Sequence, residues 1–138
     1  MSREIEYRAL KDDISNCNFV HGLLVLNVLG GKCIQTTDST KTNTCHSVIE
    51  NTISEKTPFP DTEGKPIYEG DQLIDLDVEL EEGVKLEETK QQVYWCDRKG
   101  AWMLDHSFKQ DKGSGEFLYK ELRDFRFKVV GNIYQSNN

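Results

Sequence analysis

Apolar and polar residues alternate with a period of two over much of this chain, and turn residues break the alternation at short intervals. The clearest run follows Asp71: Ile74, Leu76, Val78 and Leu80 fall on one face, with Asp75, Asp77 and Glu79 on the other. That is the pattern of a half-buried strand over residues 72–80. Ahead of it, Asp61-Thr-Glu-Gly64-Lys65-Pro66-Ile67-Tyr68-Glu69-Gly70-Asp71 reads as a turn, a short β-arm and a second tight turn. Gly64 and Gly70 suit positive φ, and Pro66 fixes φ between them. Residues 3–10 place Ile5, Tyr7 and Ala9 opposite Glu4, Glu6 and Arg8, a first strand that ends at Lys11-Asp12-Asp13. Residues 19–29 (FVHGLLVLNVL) are the most apolar stretch and lack a helical period. They predict a long strand with a bulge at Gly22, then a hairpin through Gly30-Gly31-Lys32 into residues 33–37.

Residues 38–47 (DSTKTNTCHS) are polar and aperiodic, which predicts a loop. Ser47 and Glu50 have capping-box spacing, but no apolar helical run follows, so a single turn or a short strand through Val48, Ile49 and Ile53 is expected. Pro58 and Pro60 hold Thr57 and Phe59 extended. This is the natural seam between an N-terminal β subdomain, residues 1–56, and a C-terminal one, residues 57–138, inside one compact unit. Strand 3–10 is free to pair with the C-terminal part. Further on, Val93-Tyr-Trp-Cys96 and Ala101-Trp-Met-Leu104 flank Asp97-Arg-Lys-Gly100. A four-residue turn pairs Cys96 with Ala101, Trp95 with Trp102 and Val93 with Leu104, so both tryptophans share a face and are expected to be buried. Phe117, Leu118, Leu122 and Phe125 lie near one helical face, and residues 125–129 alternate again until Gly131-Asn132. The sum is all-β and mainly antiparallel, with one short helix near 117–124, the pattern of a small barrel or sandwich.

Composition narrows the function classes. The chain has 138 residues and a net charge of −7, from 17 Lys+Arg against 24 Asp+Glu. That balance argues against binding naked nucleic acid, whose backbone demands clustered positive charge. No run approaches the ~20 apolar residues of a membrane helix, and the charged N-terminus lacks a signal-peptide core, so a cytoplasmic location is expected. Cys17, Cys33, Cys45 and Cys96 form no C-x-x-C pair, and the adjacent Cys45 and His46 point to opposite faces of an extended chain, so no metal and no cofactor are expected. His21, beside the expected bulge, reads as a packed residue. Seven carboxylates and one lysine between Asp75 and Glu88 read as a solvated face; the alternatives are an acidic docking surface or a cation site. Ser, Cys, His and acidic residues occur in no nucleophilic motif, and no phosphate-binding glycine loop is present. Glu69 and Asp71 could form an acid/base or metal pair, but Asp in such a turn more commonly holds backbone N–H groups.

Three ordered segments carry a family resemblance: Arg3-Glu-Ile-Glu-Tyr-Arg-Ala9, Gly64-Lys-Pro-Ile-Tyr-Glu-Gly-Asp71 and Val129-Val-Gly-Asn-Ile-Tyr134. Together with Phe19-Val-His-Gly-Leu-Leu and Glu50-Asn-Thr-Ile, they resemble the YopX-like proteins of bacteriophages and prophages. The chain departs from the family pattern at Thr57-Pro-Phe-Pro60 and in an acidic insert around 81–91. The resemblance implies an all-β fold with an SH3-like barrel in the C-terminal part, assembly as a homo-oligomer, and no catalytic residue. It marks Tyr68, Glu69, Gly70, Asp71, Gly131 and Asn132 as a structural motif. With Trp95 and Trp102 as a candidate interaction surface, the expected function is a non-enzymatic phage accessory module that binds a host or phage protein inside the bacterial cell. Two alternatives stand beside it. One is a metal-dependent enzyme using Glu69, Asp71 or the histidines. The other is nucleic-acid binding by the barrel through Arg123, Arg126 and Lys128.

Overall fold

A computed structural model of the protein describes residues 5–12, 18–26, 30–105 and 115–135. The expected positions of Glu4 and Cys17, the end of the 19–29 run and most of the polar segment before Glu116 lie outside the described residues. The chain divides into two compact units, Met1–Pro58 and Phe59–Asn138. No helix among the described residues is long and apolar enough to cross a membrane.

The N-terminal unit contains β1 (Tyr7–Leu10), β2 (Phe19–Leu26), β3 (Lys32–Thr37), β4 (Asn43–Ser47) and the start of β5 (Ser54–Pro60). Their order in the sheet is β4-β3-β2-β1-β5. β1 pairs with β2 and, through Tyr7 and Arg8, with Glu55 and Ser54 of β5, so the first strand belongs to this sheet. β2 divides its length between two neighbours: residues 19–22 pair with β1 and residues 23–26 with β3. The register runs through Gly22 unbroken, so the expected bulge is absent. Glycine is required there because a Cβ would stand 2.1 Å from the Gln35 carbonyl oxygen. Ala9, Val20, Ile34 and Val48 form the core of this unit, with Tyr7, Leu24 and Ile53 packed on it.

Two further expectations fail in this unit. Arg8 is buried and Ile5 is exposed, the reverse of the expected faces. The Arg8 guanidinium lies over the Phe19 ring, 4.2 Å from its centroid, a cation–π contact that offsets part of the cost of burial. Residues 43–47 form a strand rather than a loop. Their backbone completes the sheet edge against β3, while largely exposed Asn, Thr and Cys side chains conceal any apolar period. Asp38 closes the turn before it, accepting from the Thr40 and Thr42 N–H groups and the Thr40 hydroxyl at 2.9, 2.9 and 2.7 Å. Those bonds, the Thr40 hydroxyl first, hold its carboxyl below the usual range. Residues 50–52 make a single 3-10 turn, whose Thr52 hydroxyl accepts from the Leu10 N–H at 2.9 Å.

The C-terminal unit begins as β5 turns back at Asp61 into β6 (Pro66–Tyr68). There follow β7 (Asp71–Asp75), β8 (Gln91–Cys96), β9 (Ala101–Asp105), β10 (Glu116–Phe117), helix α1 (Leu118–Asp124) and β11 (Phe127–Asn132). The antiparallel sheet runs β10-β9-β8-β7-β11, and no pairing among the described residues joins β10 to β11 and closes it. Asp61, almost fully buried, accepts the N–H groups of Glu63 and Lys65 on Oδ1 at 2.9 and 2.8 Å, and that of Val129 on Oδ2 at 3.0 Å. β7 stops at Asp75, five residues short of the expected end, because Asp75 Oδ1 takes the Asp77 N–H at 2.8 Å and turns the chain. Leu76 and Leu80 are consequently exposed. Residues 79–86 are exposed as well, in loop and turn conformation that leads into a 3-10 turn at Leu86–Thr89 rather than on one face of a strand.

The 93–96/101–104 hairpin has the predicted register, with Trp95 opposite Trp102 and Gly100 at φ 58° in the turn. The two tryptophans do not share one fate: Trp102 is buried among Ile67, Leu73, Val93, Leu104, Leu118, Phe127 and Val129, whereas Trp95 is 39% exposed. Trp95 lies beyond the Gln91–Gln92 stretch of β8 that pairs with β7, and the core residues gather on Trp102 instead. α1 buries Leu118 and rests Leu122 on the core, while Phe125 lies outside the helix and is exposed. Trp102→Ala should therefore cost ~3–5 kcal/mol and Trp95→Ala a small fraction of that, read from urea unfolding midpoints. Equal losses would contradict this division of the pair.

Candidate functional site

Gly70 sits at a crossing of three chain segments. Its N–H donates to the Val93 carbonyl at 2.9 Å, and its carbonyl accepts from the Ile133 N–H at 3.0 Å. Its φ is +87°, and a Cβ would lie 2.8 Å from Tyr134 Cε2. Both the backbone conformation and the close ring exclude a larger residue. Asp71, 1% exposed, holds the same turn by accepting the Tyr68 N–H on Oδ2 at 2.8 Å, and Tyr68 is buried beside it.

The closing segment meets this turn directly. Asn132 pairs with Asp71 and Gly131 with Gln72, after a register shift between Val129 and Gly131. Asn132 Oδ1 then accepts from the N–H groups of Tyr134 and Gln135 at 2.9 and 2.8 Å, which turns Tyr134 toward Gly70. Tyr68, Gly70, Asp71, Gly131 and Asn132, though some sixty residues apart in two groups, are thus one constellation that shapes a turn.

Beside it lies a cleft of about 290 Å³, lined by Glu69, Gly70, Gln92, Val93, Tyr94, Trp95, Asp97, Ile133 and Tyr134. Trp95 forms part of its wall. The indole Nε1–H donates to Asp97 Oδ1 at 2.8 Å, and the ring meets Trp102 edge-on, centroids 5.1 Å apart at 70°. A partly exposed indole is thereby held in one orientation from two sides. Gln92, Tyr94 and Asp97 are the lining residues that sequence reasoning passes over. An aspartate two positions after a hairpin tryptophan is the available signal.

The family model described as YopX protein matches residues 6–138. The chain belongs to the YopX family. No curated protein and no solved structure matches it. The central and closing segments that carry the YopX likeness are the ones that meet across the Asp71–Asn132 pair.

The other candidate chemistries in this YopX protein are dispersed. Among the described residues no three of His, Cys, Asp and Glu gather where a metal ion could be held. Asp71 is spent on the turn. His21 is exposed on β2, and His46 shares a hydrogen bond with Thr36 Oγ1 at 2.9 Å; both belong to the N-terminal unit, while His106 lies outside the described residues. Cys33 and Cys45 lie on one face of β3 and β4, and a hydrogen bond between the thiols pushes the Cys33 thiol up. The basic residues Arg123, Arg126 and Lys128 are each set against a carboxylate, of Asp124, Asp77 and Glu63 respectively. The Arg126 guanidinium holds the Asp77 carboxyl below its usual range.

Gly70→Ala should lower stability by ~1–3 kcal/mol through strain and the Tyr134 contact, and Asp71→Asn by a similar ~1–3 kcal/mol through weakened hydrogen bonding in the turn. Melting temperature and metal content of the two variants check this. An unchanged melting temperature in Asp71→Asn, with bound metal lost, would make Asp71 a ligand instead.

Proposed function

We propose that this YopX protein is a non-enzymatic interaction module of bacteriophage or prophage origin, acting in the bacterial cytoplasm, with the cleft beside Trp95 as its docking surface. The observation that carries the reading is a partly exposed tryptophan held rigid in a cleft wall. Such residues lose little conformational freedom on binding and dominate the energetics of interfaces. The consumption of Asp71 in a turn weighs against metal-dependent catalysis, and the pairing of Arg123, Arg126 and Lys128 weighs against a nucleic-acid surface. The strand order supports an SH3-like reading of the C-terminal unit as an open variant: β7 to β10 run as a meander, and β11 returns beside β7.

The test is capture from lysogenic or infected cells with wild-type protein and with Trp95→Ala as baits. A partner retained by the first and lost by the second, at equal melting temperature, supports the docking role. Undiminished retention by Trp95→Ala sinks it.

Assembly as a homo-oligomer is part of the same proposal. One face of the N-terminal sheet carries Leu23, 56% exposed, and by register Val25, Cys33 and Cys45, with Gln35 between them. Apolar side chains grouped on an open sheet face favour a matching copy. Light scattering should give a multiple of the 15.9 kDa chain mass, reduced by Leu23→Glu. A monomer mass for the wild type across micromolar concentrations would refute assembly.

A further inference from the structure

We infer that the cleft beside Trp95 receives the cationic side chain of an arginine or lysine presented by the partner polypeptide; this rests on the docking role proposed for the same cleft. Three observations on its wall converge. First, its formally charged residues are Glu69 and Asp97, which come from different turns, one before β7 and one after β8, and no lysine or arginine lines it. The two acidic residues therefore border the space from two elements, rather than forming a run along one exposed strand.

Second, the aromatic part of the wall is pre-set. Asp97 accepts the indole N–H of Trp95, and Trp102 abuts the ring edge-to-face, so binding need not freeze the indole. A tryptophan face attracts a cation through its quadrupole, and a nearby carboxylate strengthens that attraction. Tyr134, positioned by the Asn132 carbonyl, adds a second ring to the lining.

Third, the cleft has room for a long side chain. The volume of about 290 Å³ lies just below the ~300–1,000 Å³ typical of small-molecule pockets. Ile133, 43% exposed, gives an apolar surface for the methylene stem, leaving the charged head to the carboxylates. The chain's net charge of −7 favours encounter with a basic segment over an acidic one.

The probe is a set of capped tripeptides, acetyl-Gly-X-Gly-amide with X arginine, lysine, citrulline or glutamate, titrated into 15N-labelled full chain. The expected result is saturable shifts of the Trp95 indole N–H and the Gly70 amide with arginine and lysine, weakened by added salt. Citrulline, which keeps the shape and loses the charge, should bind roughly tenfold more weakly or worse. The double variant Glu69→Gln/Asp97→Asn removes both charges, and the amide carbonyl it introduces after β8 can still accept from the indole. It should lose the arginine preference while keeping the wild-type spectrum elsewhere. Citrulline binding as well as arginine at these signals overturns the cationic assignment and leaves the docking role standing. Shifts by no peptide, or shifts confined to other residues, overturn the assignment as well. The docking role itself stands or falls separately, on the Trp95→Ala capture.

Discussion

The carboxylate of Asp61 is the point from which the C-terminal unit is hung. One nearly buried side chain takes three backbone N–H groups, two within its own turn and one from β11, sixty-eight residues away. Hydrogen bonds to an ionised group are worth ~1.5–3 kcal/mol each, and a buried carboxylate without them would be costly. Thr62 repeats the link: its N–H donates to the Phe127 carbonyl, and its hydroxyl accepts the Phe127 N–H, each at 3.0 Å. Chain return is therefore locked to the last strand before any side-chain packing is counted. β6 follows from that lock, the Tyr68–Asp71 turn follows from β6, and Gly70 is delivered to Val93 and Ile133. The cleft comes last in this sequence of dependences and is the most sensitive to errors earlier in it.

The parts of the fold that are legible in the sequence are those in which a short stretch decides its own geometry. A four-residue turn ending in glycine sets the register of β8 on β9, and the Tyr68–Asp71 turn needs a glycine and an aspartate in adjacent places. Where a second segment decides, sequence pattern misleads. The alternation after Asp75 is genuine, but a strand needs a partner, and the Asx turn at Asp75 takes the chain away from one. β4 escapes notice for the opposite reason: its backbone is paired although its side chains have no period. Arg8 looks solvent-facing until the Phe19 ring beneath it is considered.

The candidate site divides along the same line. Trp95 and Trp102 are recognisable as a pair, but which one is covered depends on where Ile67, Leu118, Phe127 and Val129 arrive from distant segments, and no local pattern encodes that. The cleft gathers residues 69–70, 92–97 and 133–134. The motif residues Gly131 and Asn132 carry no chemistry visible in isolation; one marks the end of the register shift, and the other aims Tyr134.

The polar edge strand β4 has a consequence for how copies of this chain can associate. Sheets that join edge to edge leave a fresh edge after every addition, so such growth has no natural end and leads toward fibres. An edge built from Asn43, Thr44, Cys45, His46 and Ser47 offers an incoming strand backbone hydrogen bonds but little oil to share, which makes each addition barely rewarding. In the proposed homo-oligomer, contact through the face that bears Leu23 uses up its own surface once two copies have met. In the proposed assembly the surface that joins copies is therefore one that closes, and the polar edge is left out of it.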